Sequence, residues 1–129
     1  MTGSRWTRRG AIAGVAMLPA LPALAHHGWR WTDDGTFVLS GFIREIHLGN
    51  PHAYLDVDVN GDLWRVELAP PFRTRSAGFV EGVAAVGDEV EAFGNRSADA
   101  AERRMKAVRV VVAGTAYDVY PRRAATLDG

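Results

Sequence analysis

From Thr36 onward, short apolar segments alternate along the chain with clusters of Gly, Pro, Asn and Asp. Segments rich in β-branched and aromatic residues, separated by such turn residues, predict strands. No segment carries an apolar stripe of helical period that is long enough for a helical core. The pattern therefore predicts a mostly β domain.

The segment from Phe37 to Leu48 predicts a long, bent first strand. Leu39 and Ile43 share one face by two-residue alternation, whereas Ile46 joins that face only if the alternation changes phase. A β-bulge, one extra residue in one strand of a pair, produces this change and bends the strand. We therefore expect a bulge at residues 44–45, which favours a barrel.

A β-hairpin is the clearest local signal in the sequence. The segments Ala53–Val59 and Asp62–Leu68 are joined by Asn60-Gly61, a pair that accepts the two positive φ angles of a type I′ turn. A two-residue turn fixes the register of the strands that it joins. The expected cross-strand pairs are Leu55 with Val66, Val57 with Trp64, and Asp56 with Arg65.

Beyond the hairpin, turn residues divide the chain into one short helix and further strands. Pro71 suits the first turn of a helix that runs to Ser76, and Gly78 suits its C-terminal cap. The remaining predicted elements are strands at Glu89–Gly94, Met105–Val112 and Thr115–Val119, with a polar loop over Asn95–Arg104. This order is that of the oligonucleotide/oligosaccharide-binding (OB) barrel. We therefore predict an all-β fold, a small five- to six-stranded OB-like barrel with one short helix.

Residues 1–25 have the composition of a cleavable export signal peptide. They hold three arginines and no acidic residue, followed by an apolar run from Ala11 to Leu24 and by Ala23-Leu24-Ala25. The run is shorter than the ~20 residues of a membrane-spanning helix, so we expect no stable membrane span after cleavage. Residues 7–12 resemble a twin-arginine signal, and the general export route stays open as the alternative. Either route predicts a periplasmic or secreted protein.

The expected organisation is a signal peptide at 1–25, an N-terminal arm at 26–35, the barrel at 36–120 and a C-terminal tail at 121–129. Removing the three arginines of the signal from 15 basic residues leaves 12 against 15 acidic residues, a formal charge of about −3. A mildly acidic domain does not attract nucleic acid, so we expect no nucleic-acid partner. Because the chain has zero Cys, disulfides and thiolate metal sites are excluded.

Cleavage after Ala25 would create a candidate metal site at the new N-terminus. The α-amine and the imidazole of His26 can chelate one metal ion, and a third nitrogen would complete the tetragonal set that suits Cu(II). His52 is the predicted third ligand, because it follows the rigid turn Asn50-Pro51 at the start of the second strand. Neutral nitrogen is the binding form, so the affinity should weaken as the pH falls.

A second geometry uses the α-amine together with the deprotonated amide and the ring of His27, and it does not need His52. The predicted metal ligands are thus His26, His27 and His52, with copper as the favoured ion. His47 is held in reserve, since its position on a strand turns it outward. The alternatives without a metal are a solvated N-terminus and a His52 that only stabilises its turn.

Several motifs resemble a family of small exported bacterial proteins known only as a domain of unknown function. The motifs are His26-His27-Gly28, Gly41, Asn50-Pro51-His52-Ala53, Trp64-x-Val-Glu-Leu68, Gly78-Phe79 and Val86-Gly87-Asp88. The resemblance spans most of residues 26–119, and it implies export, a barrel and a role for the three histidines. Since that family has no settled activity, the resemblance implies no particular metal or reaction.

Three functions fit these features. The first is a non-enzymatic, exported protein that binds copper. The second is a periplasmic module that recognises a protein or a glycan through the barrel face near Trp29, Trp31 and Tyr54, because aromatic rings stack on sugars. The third is a copper-dependent oxidase built on the N-terminal histidine. We expect a binding protein rather than an enzyme.

Overall fold

The computed structural model describes residues 28–128, and the barrel lies in the unit that begins at Trp31. Its elements, in chain order, are β1 (Phe37–His47), β2 (Tyr54–Val59), β3 (Asp62–Glu67), α1 (Pro71–Ser76), β4 (Glu89–Arg96), β5 (Arg104–Val112), β6 (Thr115–Asp118) and α2 (Pro121–Asp128). Neither of the helices in this part of the chain is long and apolar enough to cross a membrane.

Five strands close into a barrel in the order β1-β2-β3-β5-β4, and β4 returns to pair with β1. The β3–β5 pairing is parallel and the other pairings are antiparallel. β6 is an additional strand that pairs with β5 outside the closed ring. This topology confirms the all-β, OB-like barrel that the sequence predicts.

The β2–β3 hairpin and the bulge in β1 both agree with the sequence analysis. Asn60 and Gly61 have φ angles of 54° and 93°, as a type I′ turn requires. The pairing of β1 with β2 shifts between Ile43 and Glu45, which confirms the bulge. The observed hairpin pairs include Leu55 with Val66, Val57 with Trp64, and Asp56 with Arg65, as predicted.

The core lies inside the barrel and contains inward-facing apolar side chains of all five strands. Phe79, which follows α1, is buried against this core and meets the ring of Tyr117 edge to face at 5.3 Å between centroids. The rings of Phe37 and Trp64 stack with their centroids 5.3 Å apart, and the Arg96 guanidinium lies 5.0 Å from the Trp64 centroid. The described residues that form the centre of the core include Ile43, Leu55, Val57, Val66, Val90, Met105 and Val110.

Three segments differ from the sequence expectation or extend it. The prediction that β4 ends at Gly94 was wrong, because β4 continues through Arg96. The loop to β5 is correspondingly shorter than predicted, since β5 already begins at Arg104. A register shift at Phe93/Gly94 lets both strands continue to pair beyond the glycine. Residues 121–128, expected as a tail, form the second helix, α2.

Candidate functional site

Two of the three predicted metal ligands, His26 and His27, lie outside the described residues, as does the predicted signal peptide. The third, His52, is half-buried in the loop between β1 and β2, directly after the cis peptide bond of Asn50 and Pro51. Within residues 28–128, no group of three or more His, Asp or Glu side chains could hold a metal ion. That part of the chain therefore contains no complete metal site of its own.

Backbone hydrogen bonds hold the loop that carries His52. The N–H of Ala53 donates to the carbonyl of Ala69 at 3.2 Å, and the carbonyl of Ala53 accepts from the N–H of Leu68 at 2.8 Å. At the other end of the loop, Nε2 of His47 lies 3.3 Å from the carbonyl oxygen of Asn50. The backbone next to residue 52 is thus fixed by hydrogen bonds. The loop would therefore lose little conformational freedom if the side chain of residue 52 bound a ligand.

His47, the reserve ligand, belongs to an aromatic stack on the outer surface of the barrel. Its ring stacks on Tyr54 with the centroids 4.7 Å apart, and the guanidinium carbon of Arg65 lies 3.7 Å from the Tyr54 centroid. Burial, and next the carboxylate of Glu45, raise the pKa of the Tyr54 phenol, which donates to Oε2 of Glu45 at 3.3 Å. These contacts were not predicted from the sequence, although a bulge at residues 44–45 places His47 opposite Tyr54.

A second arginine–aromatic pair lies beside the first. The guanidinium carbon of Arg104 is 3.7 Å from the Trp31 centroid, and Nε of Arg104 donates to Oε2 of Glu67 at 3.4 Å. Arg104 is also the cross-strand partner of Arg65 in the parallel β3–β5 pairing. Together, Trp31, Tyr54, Arg65 and Arg104 form a surface that we call the arginine–aromatic face. It contains two of the three aromatic residues that the sequence analysis assigned to partner recognition.

Two exposed apolar side chains flank an ion pair on the neighbouring part of the barrel surface. Phe42 on β1 and Leu63 on β3 are each 55% exposed. Both are cross-strand partners of Asp58, which lies between them on β2. Asp58 accepts from Nη2 of Arg44 at 2.6 Å and from the N–H of Gly61 at 2.8 Å. The hydrogen bond from Arg44, and next that from Gly61, lower the pKa of the Asp58 carboxyl.

Two adjoining clefts lie near the loop between β1 and β2. One has a volume of about 590 Å³ and the other of about 330 Å³, and they share Leu48, Phe79, Val80 and Glu81. Arg75 adds a cation to the larger cleft. Volumes of this size accept small molecules, but neither lining contains a histidine or a nucleophile activated by one. The clefts therefore combine polar and apolar contacts without evident catalytic chemistry.

The sequence profile of a family of unknown function, DUF6152, matches residues 15–105 of the chain. The protein belongs to this family. The membership confirms the family resemblance that the sequence motifs indicate, and DUF6152 itself carries no assigned activity. No curated protein matches the chain.

Solved structures align with this DUF6152 protein at low sequence identity and low TM-score. A complex of TiaS with a transfer RNA, AMPCPP and agmatine aligns at 15% identity with a TM-score of 0.46, covering 60% of this chain and 18% of TiaS. The Stn1–Ten1 complex of S. pombe aligns at 18% identity with a TM-score of 0.48, covering 70% of this chain and 63% of that one. The chain thus spans less than a fifth of TiaS in this alignment.

Proposed function

We propose that this DUF6152 protein is exported to the periplasm and binds a copper ion at its mature N-terminus. Cleavage follows Ala25, and His26 supplies both its α-amine and its imidazole. His52 supplies a second imidazole, and His27 is the alternate ligand. The observation that carries the proposal is the order Ala25-His26-His27, which puts a new amine on a residue that already has an imidazole.

The donor set favours copper over harder cations. An amine and two imidazoles are nitrogen ligands, whereas Mg²⁺ and Ca²⁺ take oxygen ligands. Among first-row divalent metals, nitrogen sites bind Cu²⁺ most tightly, and its tetragonal preference accommodates an amine–imidazole chelate ring. The N-terminal residue would contribute two donors from a single residue, so the chelate costs less entropy than two separate ligands.

The fold supports the part that His52 plays. Its loop is fixed by the backbone hydrogen bonds of Ala53, so that the position of residue 52 is set before any metal arrives. Ligands on a rigid support lose little conformational freedom on binding. The His27 geometry needs no such support, and the two geometries therefore differ in whether substitution of His52 weakens binding.

The N-terminus of the exported protein is the first quantity to measure. Intact mass of the protein recovered from the periplasm should correspond to residues 26–129, with one added copper after loading. Protein with the authentic His26 terminus should then bind Cu(II) at least about tenfold more tightly than protein with one extra alanine in front of His26. A different first residue, or equal affinity of the two forms, would falsify the amine chelate.

Substitution of single histidines separates the two geometries. With the authentic terminus, His52→Ala should weaken Cu(II) binding about tenfold if its ring is a ligand, while the matched variant His47→Ala should leave it unchanged. Unchanged affinity in His52→Ala, together with loss of binding in His27→Ala, would assign the site to the second geometry. Equal losses in His47→Ala and His52→Ala would contradict a specific role for His52.

We also propose a second candidate, a periplasmic recognition module that binds a protein or glycan without a metal. The specific support is the arginine–aromatic face together with the exposed Phe42 and Leu63 on the same barrel, since aromatic and arginine side chains predominate in recognition surfaces. Trp31→Ala should then weaken partner binding in the metal-free protein. The control is Phe72→Ala, because Phe72 is also an exposed aromatic residue, at 73%, but lies on α1 outside the arginine–aromatic face. Partner binding should be unchanged in this control.

A further inference from the structure

The ring of Tyr54 is covered on both of its faces. The His47 ring, from β1, stacks on it with the centroids 4.7 Å apart, and the guanidinium carbon of Arg65, from β3, lies 3.7 Å from the Tyr54 centroid. Tyr54 lies on β2, between those two strands, so the two groups approach its ring from opposite sides. Sugars stack on an open aromatic face. Tyr54 therefore presents no such face to a glycan, and a partner meets the Arg65 guanidinium there instead.

Arg104 covers Trp31 in the same way as Arg65 covers Tyr54. Its guanidinium carbon lies 3.7 Å from the Trp31 centroid. Arg65 and Arg104 are cross-strand partners in the parallel β3–β5 pairing, so both side chains leave the sheet next to each other and on the same side. The two guanidinium groups therefore form a neighbouring pair, and each of them is packed on an aromatic ring.

Each arginine of the pair is held by a carboxylate and still has free donors. Nε of Arg65 donates to Oδ1 of Asp56 at 2.6 Å, and Nε of Arg104 donates to Oε2 of Glu67 at 3.4 Å. Within residues 28–128, neither arginine makes a hydrogen bond through its terminal Nη groups. Most N–H donors of a guanidinium are on these two nitrogen atoms. The ring contact and the carboxylate thus hold each guanidinium in place, while its Nη donors stay available.

The arginine is the exposed member of each of these ion pairs. The side chains of Arg65 and Arg104 are 42% and 35% exposed, respectively. Those of their carboxylate partners, Asp56 and Glu67, are 12% and 14% exposed. In the described part of the chain, the exposed carboxylate of Glu45 pairs with neither arginine. A partner that approaches this surface therefore meets guanidinium groups before it meets their carboxylates.

We propose that the two guanidinium groups of the arginine–aromatic face bind carboxylates in an acidic segment of a protein partner. This inference rests on the recognition module, the second proposed function, and names its partner. A guanidinium with free Nη donors binds a carboxylate through two parallel hydrogen bonds. Because each guanidinium is already held by a ring and a carboxylate, little conformational freedom is lost on binding. Leu63, which precedes Arg65 by two residues on β3 and is exposed, adds an apolar contact for the same partner.

Peptide binding to the metal-free protein, measured by fluorescence anisotropy, tests the proposal. A labelled peptide in which Glu and Ser alternate should bind, and the matched peptide of Gln and Ser should not. Arg104→Gln should raise the dissociation constant of the acidic peptide about tenfold, because it removes one of the two guanidinium groups. The matched control is Arg103→Gln, which removes the same charge from the adjacent exposed residue outside the arginine–aromatic face. Its affinity for the acidic peptide should be unchanged.

Arg104→Lys distinguishes paired hydrogen bonds from simple charge attraction. Lysine keeps the positive charge but cannot offer two parallel N–H donors to one carboxylate. We therefore expect Arg104→Lys to weaken binding of the acidic peptide by at least about threefold. Affinity equal to that of the unsubstituted protein would contradict the proposed geometry. Arg65 is left unchanged in these variants, because the nearly buried Asp56 depends on its cation for stability.

A glycan probe separates this inference from the recognition module itself. The same variants and Trp31→Ala are titrated with a neutral chitin oligosaccharide. Oligosaccharide binding that weakens in Trp31→Ala, without binding of the acidic peptide, overturns the acidic partner and leaves a glycan-binding module. Binding of neither probe overturns both proposals for this face. Equal loss of peptide affinity in Arg103→Gln and Arg104→Gln overturns the acidic partner alone, and copper is omitted throughout so that no outcome depends on the copper site.

Discussion

Two glycines show at the residue scale how closely the strands of this barrel approach each other. A Cβ at Gly94 would collide with the carbonyl oxygen of Lys106, and one at Gly41 would meet the carbonyl oxygen of Asp58 and lie 2.8 Å from Cγ1 of Val57. Both glycines are buried in strands, where a side chain would normally fit. The barrel at these two points therefore depends on the absence of a side chain rather than on glycine φ angles.

Replacing Gly94 by alanine should destabilise the protein by about 2 kcal/mol, because the new methyl group has to displace backbone of β5. Gly35→Ala is the control, since a Cβ at Gly35 meets nothing within 4 Å and its φ is not positive. Urea unfolding followed by tryptophan fluorescence measures the free energy of unfolding of both variants. Equal free energies of unfolding for Gly94→Ala and Gly35→Ala would contradict this prediction, because they would show that β4 and β5 can move apart at Gly94 without loss of stability.

The ion pair between Asp56 and Arg65 should matter more for stability than the pair between Asp58 and Arg44. Asp56 is 9% exposed and accepts from Nε of Arg65 at 2.6 Å, so Arg65→Leu leaves a nearly buried carboxylate without its cation. We expect a loss of about 2 kcal/mol for Arg65→Leu. Arg44→Leu, at a side chain that is 61% exposed, should cost less than about 1 kcal/mol. A larger loss in Arg44→Leu than in Arg65→Leu, measured by urea unfolding, would contradict this ranking.

Single residues also show which contacts a sequence can specify. The pairing of Asp56 with Arg65 follows from the two-residue turn, because that turn fixes the register. The burial of Lys106 does not follow from any local pattern. It involves the ring of Tyr120, whose centroid lies 5.5 Å from Nζ of Lys106 although the two residues are distant in sequence.

At the scale of elements, the side chain of Arg109 links α2 to the barrel. Arg109 on β5 donates from Nε to Asp118 of β6 at 2.6 Å and from Nη1 to Asp128 of α2 at 2.9 Å. Ala124 of the same helix is fully buried. The Arg109 guanidinium therefore joins β5, the additional strand β6 and the C-terminal helix α2.

This arrangement predicts a pH dependence of stability. The hydrogen bond from Arg109 lowers the pKa of the Asp128 carboxyl in the folded state. The contribution of Asp128 to stability is therefore present above the ordinary Asp pKa of about 4 and is lost as the pH falls through the lower folded-state pKa. Asp128→Asn should reduce the decrease in unfolding free energy between about pH 5 and pH 2, whereas Asp34→Asn in an exposed loop should not. An unchanged pH profile in Asp128→Asn would exclude the contribution.

Elements with strong turn signals are predicted well from the sequence, and elements set by distant contacts are not. Asn60-Gly61 specifies the hairpin, and Pro71 with Gly78 specifies α1, since these residues favour particular backbone angles. The end of β4 is different, because pairing with β5 continues it beyond Gly94 through a register shift. A helix of eight residues with few apolar side chains, such as α2, forms through packing and is weakly encoded locally.

At the scale of the whole molecule, copper should change the stability of the fold in a way that depends on the ligand set. A ligand stabilises a protein only if it binds the folded state more tightly than the unfolded chain. A chelate made by the N-terminal residues alone exists in both states, whereas one that includes His52 requires the folded barrel. Cu(II) should therefore raise the melting temperature of the authentic protein, and His52→Ala should abolish the increase. An increase that persists in His52→Ala would exclude His52 as a ligand.

The candidate sites differ in how far the sequence could specify them. His26 and His27 follow from the predicted cleavage position, and His52 follows from its place after Asn50-Pro51. The arginine–aromatic face joins the β2–β3 hairpin to Arg104 of β5 and to Trp31, and no spacing in the sequence connects these segments. Ligands that a local motif identifies can be predicted from the sequence, whereas a site assembled from several elements can be recognised only in the fold.

The short parallel pairing of β3 with β5 affects where the barrel opens locally. It joins residues 65–67 to residues 104–106, whereas the antiparallel neighbours are joined over longer stretches. Parallel pairing is slightly less stable per residue than antiparallel pairing, and this one is short. This seam should therefore be the first part of the barrel to open. Its amide hydrogens would then exchange with solvent through partial opening, without global unfolding.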